Sequence, residues 1–195
     1  PEITRLMLQL KIHSLSLGYS GVSEPTFLQL LVMEENEILP WIPSRGSVGA
    51  SGDLAPLAHM CLPLIGRGYV WDEDHANKIP AATVLKKMGI EPVELQAKDG
   101  LALINGTQMM LAYGAFVLER TLVLQRAADL LAAMSLEALQ GSARPFDERI
   151  HAIRSHPGQG AVAENVRRLL EGSEIMVSHR DCGKVQDPYS LRCVP

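Results

Sequence analysis

Residues 107–139 form one long stretch rich in leucine, alanine and methionine, with no proline to break it. Such a run predicts a single helix, and at 1.5 Å per residue it would be roughly 50 Å long. A helix so long and so apolar belongs in a bundle, with part of its surface in a contact between subunits. Glu119, Arg120, Arg126 and Asp129 interrupt the run, which argues against a membrane span. Met109, Met110 and Met134 are expected to fill gaps in the core.

Composition supports a helical reading. Aromatic residues make up 5% of the chain, against 47% hydrophobic residues overall, so the apolar content is mostly leucine, alanine and other good helix formers. The expected fold class is mainly α, a long-helix bundle with a glycine-rich loop and short strands near 67–71 and 91–95. A net charge of −4 gives no reason to expect nucleic acid or an anionic membrane as partner. Cys61, Cys182 and Cys193 are an odd number with no CxxC spacing. That suits a reducing, cytoplasmic setting and argues against a disulfide framework or a zinc site. Neither a signal peptide nor an uncharged span long enough for a bilayer is read from the sequence.

Shorter helices are marked by period and punctuation. In residues 2–16 the apolar Ile3, Leu6, Met7, Leu10, Ile12 and Leu15 fall close to one face, and Lys11 and His13 read as surface and packing residues. Ser23 caps a second helix that has Pro25 in its first turn and runs to Glu35. Pro40 and Pro43 impose an extended approach to the glycine-rich loop. Further helices are expected over 53–64, which should be apolar on nearly all sides and buried, over 81–88, and over 159–170. His59 reads as a core histidine, and His151 and His156 as structural. Trp71-Asp72-Glu73-Asp74-His75 matches no metal spacing and reads as a solvated loop.

Chemistry concentrates in Gly46-Ser47-Val48-Gly49-Ala50-Ser51-Gly52-Asp53-Leu54-Ala55-Pro56. Glycine at every third position opens backbone angles closed to other residues. Asp53 sits where a helix N-cap would. Taken alone, Gly-rich sequence before a cap is ordinarily a flexible turn, or an anion site at a helix N-terminus. A tightly bent Ala50-Ser51-Gly52 has a second possibility. The Gly52 amide nitrogen can attack the Ala50 carbonyl carbon, and loss of water then leaves a five-membered imidazolone. Loss of a second water through the Ser51 hydroxyl leaves an exocyclic methylene, a strong electrophile. The dipole of the following helix would favour negative charge at such a group.

The loop resembles the prosthetic-group loop of the aromatic amino acid ammonia-lyases, in which Ala-Ser-Gly cyclises to 4-methylideneimidazol-5-one (MIO). Four further stretches are similar to that family. They are Leu10-Lys11-Ile12-His13-Ser14-Leu15 with Gly18-Tyr19-Ser20-Gly21, Gly100-Leu101-Ala102-Leu103-Ile104-Asn105-Gly106-Thr107, Phe146-Asp147 through His156-Pro157-Gly158-Gln159, and Gln186-Asp187-Pro188-Tyr189-Ser190-Leu191-Arg192. The resemblance implies an ammonia-lyase or aspartase-like helical fold. It also implies an MIO group from Ala50, Ser51 and Gly52, with Asn105 and Tyr189 at the reaction centre and Arg192 and Gln186 on the substrate. An arginine fork suits an amino acid carboxylate. Asp53 and Gln108 take supporting parts, and no metal or nucleotide is implied.

Gln108, Asp187-Pro188 and Ser178-His179 with Cys182 look more like the histidine-deaminating branch. That implies elimination of ammonia from L-histidine to give trans-urocanate. Phenylalanine or tyrosine ammonia-lyase, or a 2,3-aminomutase, stays open. The resemblance covers nearly the whole chain, read as a central segment of a longer polypeptide: residues 1–100 hold the MIO-loop region and 101–195 begin the central helical bundle. It implies a homotetramer, with the base tyrosine and the glutamate that recognises imidazole lying outside this stretch, so the segment alone should be inactive. An uncyclised, non-catalytic oligomerising scaffold is an alternative of another class. A serine hydrolase fits poorly, because Gly49-Ala50-Ser51-Gly52 lacks the GxSxG spacing.

Overall fold

A computed structural model describes residues 1–49, 52–154 and 156–195. The chain divides into two compact units, Pro1–Leu118 and Glu119–Pro195. In the first, α1 (Glu2–Ser16) packs on α2 (Glu24–Glu35), and α3 (Leu54–Cys61) continues as a 3-10 turn over Leu62–Ile65. β1 (Tyr69–Trp71) and β2 (Lys78–Pro80) form an antiparallel pair with Val70 opposite Ile79. α4 (Ala81–Met88), α5 (Asp99–Ile104) and the first turns of α6 (Gln108–Ala138) complete the unit. Its core gathers Met7, Leu8, Leu30, Met33, Leu57 and Leu103, all 1% exposed or less.

The expected helices over 2–16, 81–88 and 107–139 are present within a residue of their ends. Ser23 does stand at the N-cap of α2, but its hydroxyl bonds Asp99 and the Thr26 hydroxyl rather than a helix N–H. Asp99 is fully buried and accepts from Ser23 N, Ser23 Oγ, Thr26 Oγ1 and Gln96 N at 2.7–2.8 Å. Burial by itself would raise its carboxyl, but these four donors outweigh it and hold the group below the ordinary carboxylate value. One anion thereby joins the starts of α2 and α5, where helix dipoles favour negative charge.

Several expectations are corrected. Residues 91–95 are not a strand; Val93 N donates to Leu64 O and the stretch is irregular. The partner of β1 is instead 78–80, reached through a turn in which the Asp72 carboxylate accepts from Ala76 N and Asn77 N. α3 is not buried all round: Pro56, Leu57, Met60 and Cys61 are buried, Leu54 is exposed and His59 half-buried.

The buried stripe of α1 is Thr4, Met7, Leu8, Lys11 and Leu15, so Lys11 is 1% exposed rather than a surface residue. Ile3, Leu6, Leu10 and Ile12 sit only partly buried beside that stripe.

α6 departs differently. Met109 is buried, but Met110 and Met134 are 42% and 56% exposed, and Leu122, Leu124 and Leu131 also face outward. The stretch Asp99–Ala138 contains a segment long and apolar enough to cross a membrane, contrary to the expectation. The interrupting charges begin only at Glu119, leaving 101–118 without one. Non-helical Asn105, Gly106 and Thr107 nevertheless break that segment between α5 and α6, and a lipid core would leave their backbone groups without water.

The second unit holds the rest of α6, which ends where Gln140 takes a positive φ of 48°. A 3-10 turn over Arg144–Phe146, α7 (Glu148–Ala152), α8 (Pro157–Leu169), α9 (Glu174–Ser178) and α10 (Tyr189–Arg192) follow. Leu136, Phe146, Ala163 and Val166 form its core without exposure. His151 is buried with both ring nitrogens engaged, Nε2 against Pro145 O and Nδ1 against the Gln159 amide.

Candidate active site

Ala50 and Ser51, the first two residues of the Ala-Ser-Gly triplet, lie outside the described residues. Gly52 and its surroundings are described. Its φ is +126°, and a Cβ built there would lie 2.7 Å from the Gly106 carbonyl oxygen. No side chain fits in that space, and L-residues rarely adopt that angle. The next residue is tied to the same stretch of backbone, since Asp53 N donates to Gly106 O at 2.8 Å.

Asp53 is fully buried at the N-cap of α3, yet its carboxylate does not cap that helix. It accepts instead from Ser47 Oγ at 2.7 Å and from Met110 N, in the first turn of α6, at 3.0 Å. The side chain therefore draws together the arm of the loop that precedes the triplet and the start of the longest helix. A carboxylate there meets an N–H that has no partner within its own helix. The N-cap position was legible in the sequence, whereas this use of it was not, and Ser47 was missed entirely.

Gly106 takes a φ of +148°, and Gln108 closes over it: a Cβ at Gly106 would meet Gln108 Oε1. Gln108 Nε2 donates weakly to Ser14 Oγ at 3.3 Å, and its buried Oε1 finds no partner among the described residues. Asn105 has an exposed side chain, while its carbonyl is held from behind by Lys11. Lys11 Nζ donates to Asn105 O at 2.9 Å and to Ala102 O at 3.2 Å, two carbonyls at the C-terminal end of α5. Burial lowers the proton affinity of this ammonium, opposed in part by nearby Cys61. Burial pushes the Cys61 thiol up to about 12, with Lys11 acting against the rise. Sequence reasoning missed Lys11 because a lysine at helical spacing scores as a solvated position.

In the second unit, α10 and the three residues before it bring Gln186, Tyr189 and Arg192 together. Arg192 Nη1 donates to Gln186 Oε1 at 2.6 Å, and its guanidinium carbon lies 4.2 Å from the Tyr189 ring centroid. Arg192 Nε is buried without a hydrogen-bond partner among the described residues. Asp187 anchors this segment: nearly fully buried, it accepts from Ser142 N at 2.6 Å and forms an ion pair with Lys184 Nζ at 2.6 Å. Burial would raise its carboxyl, but Lys184, Ser142 and the field of His179 bring it below the ordinary value. His179 Nε2 contacts Gly141 O at 2.7 Å and its Nδ1 contacts Ile175 O, so the ring serves the scaffold. The site residues thus form two sets, Gly52, Asp53, Asn105 and Gln108 in one unit and Gln186, Tyr189 and Arg192 in the other.

A helical chain with a glycine seat at 52, a buried aspartate beside it and a stacked arginine near its end belongs to a family that can be named. The model of the aromatic amino acid lyases matches residues 1–195, and the chain belongs to that family. Histidine ammonia-lyase of Sorangium cellulosum is 53% identical over 191 residues, covering 98% of this chain and 37% of the relative. The crystal structure of histidine ammonia-lyase from Trypanosoma cruzi is 38% identical with a TM-score of 0.85, over 100% of this chain and 35% of that one. Tyrosine aminomutase from Streptomyces globisporus gives a TM-score of 0.86 at 36% identity, over 99% of this chain and 39% of that one. The mainly helical fold is the one these neighbours share. Across the curated relatives, the chain spans between 30% and 40% of their length.

Proposed function

We propose that the protein carrying this chain is an ammonia-lyase that converts L-histidine to trans-urocanate, with an MIO group formed from Ala50, Ser51 and Gly52. The observation that carries the reading is the seat of Gly52. Backbone angle and the approach of Gly106 O both demand glycine at the third position of the triplet, where ring closure needs an unhindered amide nitrogen. Similarity to relatives named histidine ammonia-lyase supports the substrate.

Once formed, the ring would supply an electrophile for the substrate amine, overcoming its poor leaving ability. Asn105 is the residue to hold it, since a carboxamide can donate and accept at once. Arg192 binds the substrate carboxylate through its planar fork. Its stacking on Tyr189 and its bond to Gln186 hold the guanidinium plane before substrate arrives, which lowers the ordering cost of binding. Tyr189 places its phenol beside that clamp. No residue of this chain is assigned to removal of the β-proton.

The protein acts as a homotetramer in the cytoplasm in this reading. The outward leucines of α6 would be covered by other subunits, and Cys61, Cys182 and Cys193 are all free thiols. The test is the intact protein's mass, read with a panel of amino acids. A deficit of two waters in the peptide holding residues 50–52, with urocanate formed from histidine alone, is the expected result. Cinnamate or coumarate would move the protein to the phenylalanine or tyrosine branch, and a β-amino acid to the aminomutases. An unmodified peptide in folded protein would leave a non-catalytic scaffold.

A further inference from the structure

Lys11 is 1% exposed, and among the described residues no carboxylate pairs with it. A buried ammonium carries a desolvation cost of several kcal/mol, and a methionine of similar length would fill the same volume without it. Hydrophobic packing of α1 therefore does not account for a lysine here. What the ammonium does is bridge two carbonyls, Ala102 O and Asn105 O, at the point where α5 stops and the chain turns to Gly106. The next carbonyl along, Gly106 O, receives Asp53 N and bears on Gly52. A row of links results: Lys11 to Asn105, Asn105 to Gly106 by the chain, and Gly106 to Gly52 and Asp53.

We propose that Lys11 is a positioning residue for formation of the electrophile, holding the Asn105–Gly106 turn as the fixed surface against which Gly52 and Asp53 are bent. The inference rests on the function proposed above. In the step it assists, the Gly52 nitrogen bonds to the Ala50 carbonyl carbon. The Ala50 oxygen leaves as water with the protons of the Gly52 and Ser51 nitrogens, giving the ring C=N bond. The Ser51 hydroxyl then leaves as a second water with the Ser51 α-proton. No oxidant or cofactor is needed. Geometry decides the rate, because an amide nitrogen is a poor nucleophile unless pressed onto its target.

The experiment uses the intact protein as parent, Lys11→Met, Lys11→Gln and Asn105→Ala. Folded material is isolated by gel filtration and digested, and the peptide holding residues 50–52 is weighed. In folded Lys11→Met and Lys11→Gln the fraction lacking two waters is expected to fall at least about tenfold, the scale set by small misplacements of reacting groups. Asn105→Ala keeps the backbone that Lys11 holds, so it should retain the ring while losing turnover.

An undiminished ring fraction in either folded Lys11 variant overturns the inference, as does loss of the ring in Asn105→Ala. Failure of both Lys11 variants to fold also overturns it, by making Lys11 a residue of the fold alone. A parent with no ring would sink the function reading and this inference together. A ring-bearing parent that releases ammonia from no amino acid would sink only the former.

Discussion

Two helices of this chain invert the usual relation between side-chain type and burial. α1 carries a lysine among its most buried positions, whereas α6 carries several leucines that are about half exposed or more. α1 packs on α2 and shares a core with residues of α3 and α5, and the carbonyl end of α5 offers its lysine two acceptors, so a charge can enter. α6 is the longest helix among the described residues, at 31 residues, and although Leu136 near its end is fully buried, Leu118, Leu124 and Leu131 stay 60% exposed or more. Burial reflects what surrounds a position, not only what occupies it.

The contrast can be broken most forcefully at Asp99, a buried charge with four donors like Lys11 with its two acceptors. Asp99→Ala leaves those donors without a partner and should cost about 4 kcal/mol in urea unfolding of the intact protein. A loss under about 1 kcal/mol would mean that water or rearrangement replaces the carboxylate easily.

Next comes one substitution made in both helices. Leu8→Ala, at a position with 0% exposure, should destabilise by about 3 kcal/mol through lost burial and a cavity. Leu124→Ala, at 67% exposure, should change the stability of the separated chain by no more than about 0.5 kcal/mol. Its effect should appear instead as weaker association in sedimentation runs across a concentration series. Equal losses in unfolding would show that α6 is as enclosed as α1.

Acid separates the two kinds of position further. Asp99 and Asp187 both have carboxyls held below their unfolded value, near 3.9. The folded state therefore binds fewer protons than the unfolded one as pH falls below about 4, so the stability they contribute above that value is lost there. The parent should show falling thermal midpoints through that window, and Asp99→Asn a shallower slope. An identical slope would assign the acid response to other groups.

The smallest expected effect is at Cys61, on the α1-facing side of α3. Burial and its raised thiol pKa of about 12 should leave it unalkylated by iodoacetamide at pH 8 in folded protein, and modified only after denaturation. Labelling at a rate close to that of free cysteine would indicate that the core around Lys11 opens readily.

Much of the fold could be read from the chain because the signals for it are local. The period of α1, the proline start of α2, Gly89 after α4 and the unbroken run of α6 each act within a few residues. Short α5, α7, α9 and α10 escaped detection, since helices of four to six residues have no period to display. The strand 78–80 escaped as well, because it exists through pairing with β1 rather than through its own composition. At the candidate site, the triplet, Asn105 and Arg192 were legible as motifs. Ser47 and Lys11 were not, because their meaning lies in partners that only folding brings close: Lys11 meets carbonyls 91 and 94 residues away.

Propensity and reactivity are properties of a residue and its near neighbours. The order of amino acids was therefore enough for the main helices, for the glycine at 52 and for the motifs that mark the family. Folding in three dimensions was needed to make Asp53 bind Ser47 and α6 rather than cap its own helix. It was needed, too, to set a lysine beneath Asn105 and to leave leucines of α6 outside. Those outcomes depend on which distant groups arrive beside a side chain once the chain has closed, and desolvation then sets how strongly each must be paired.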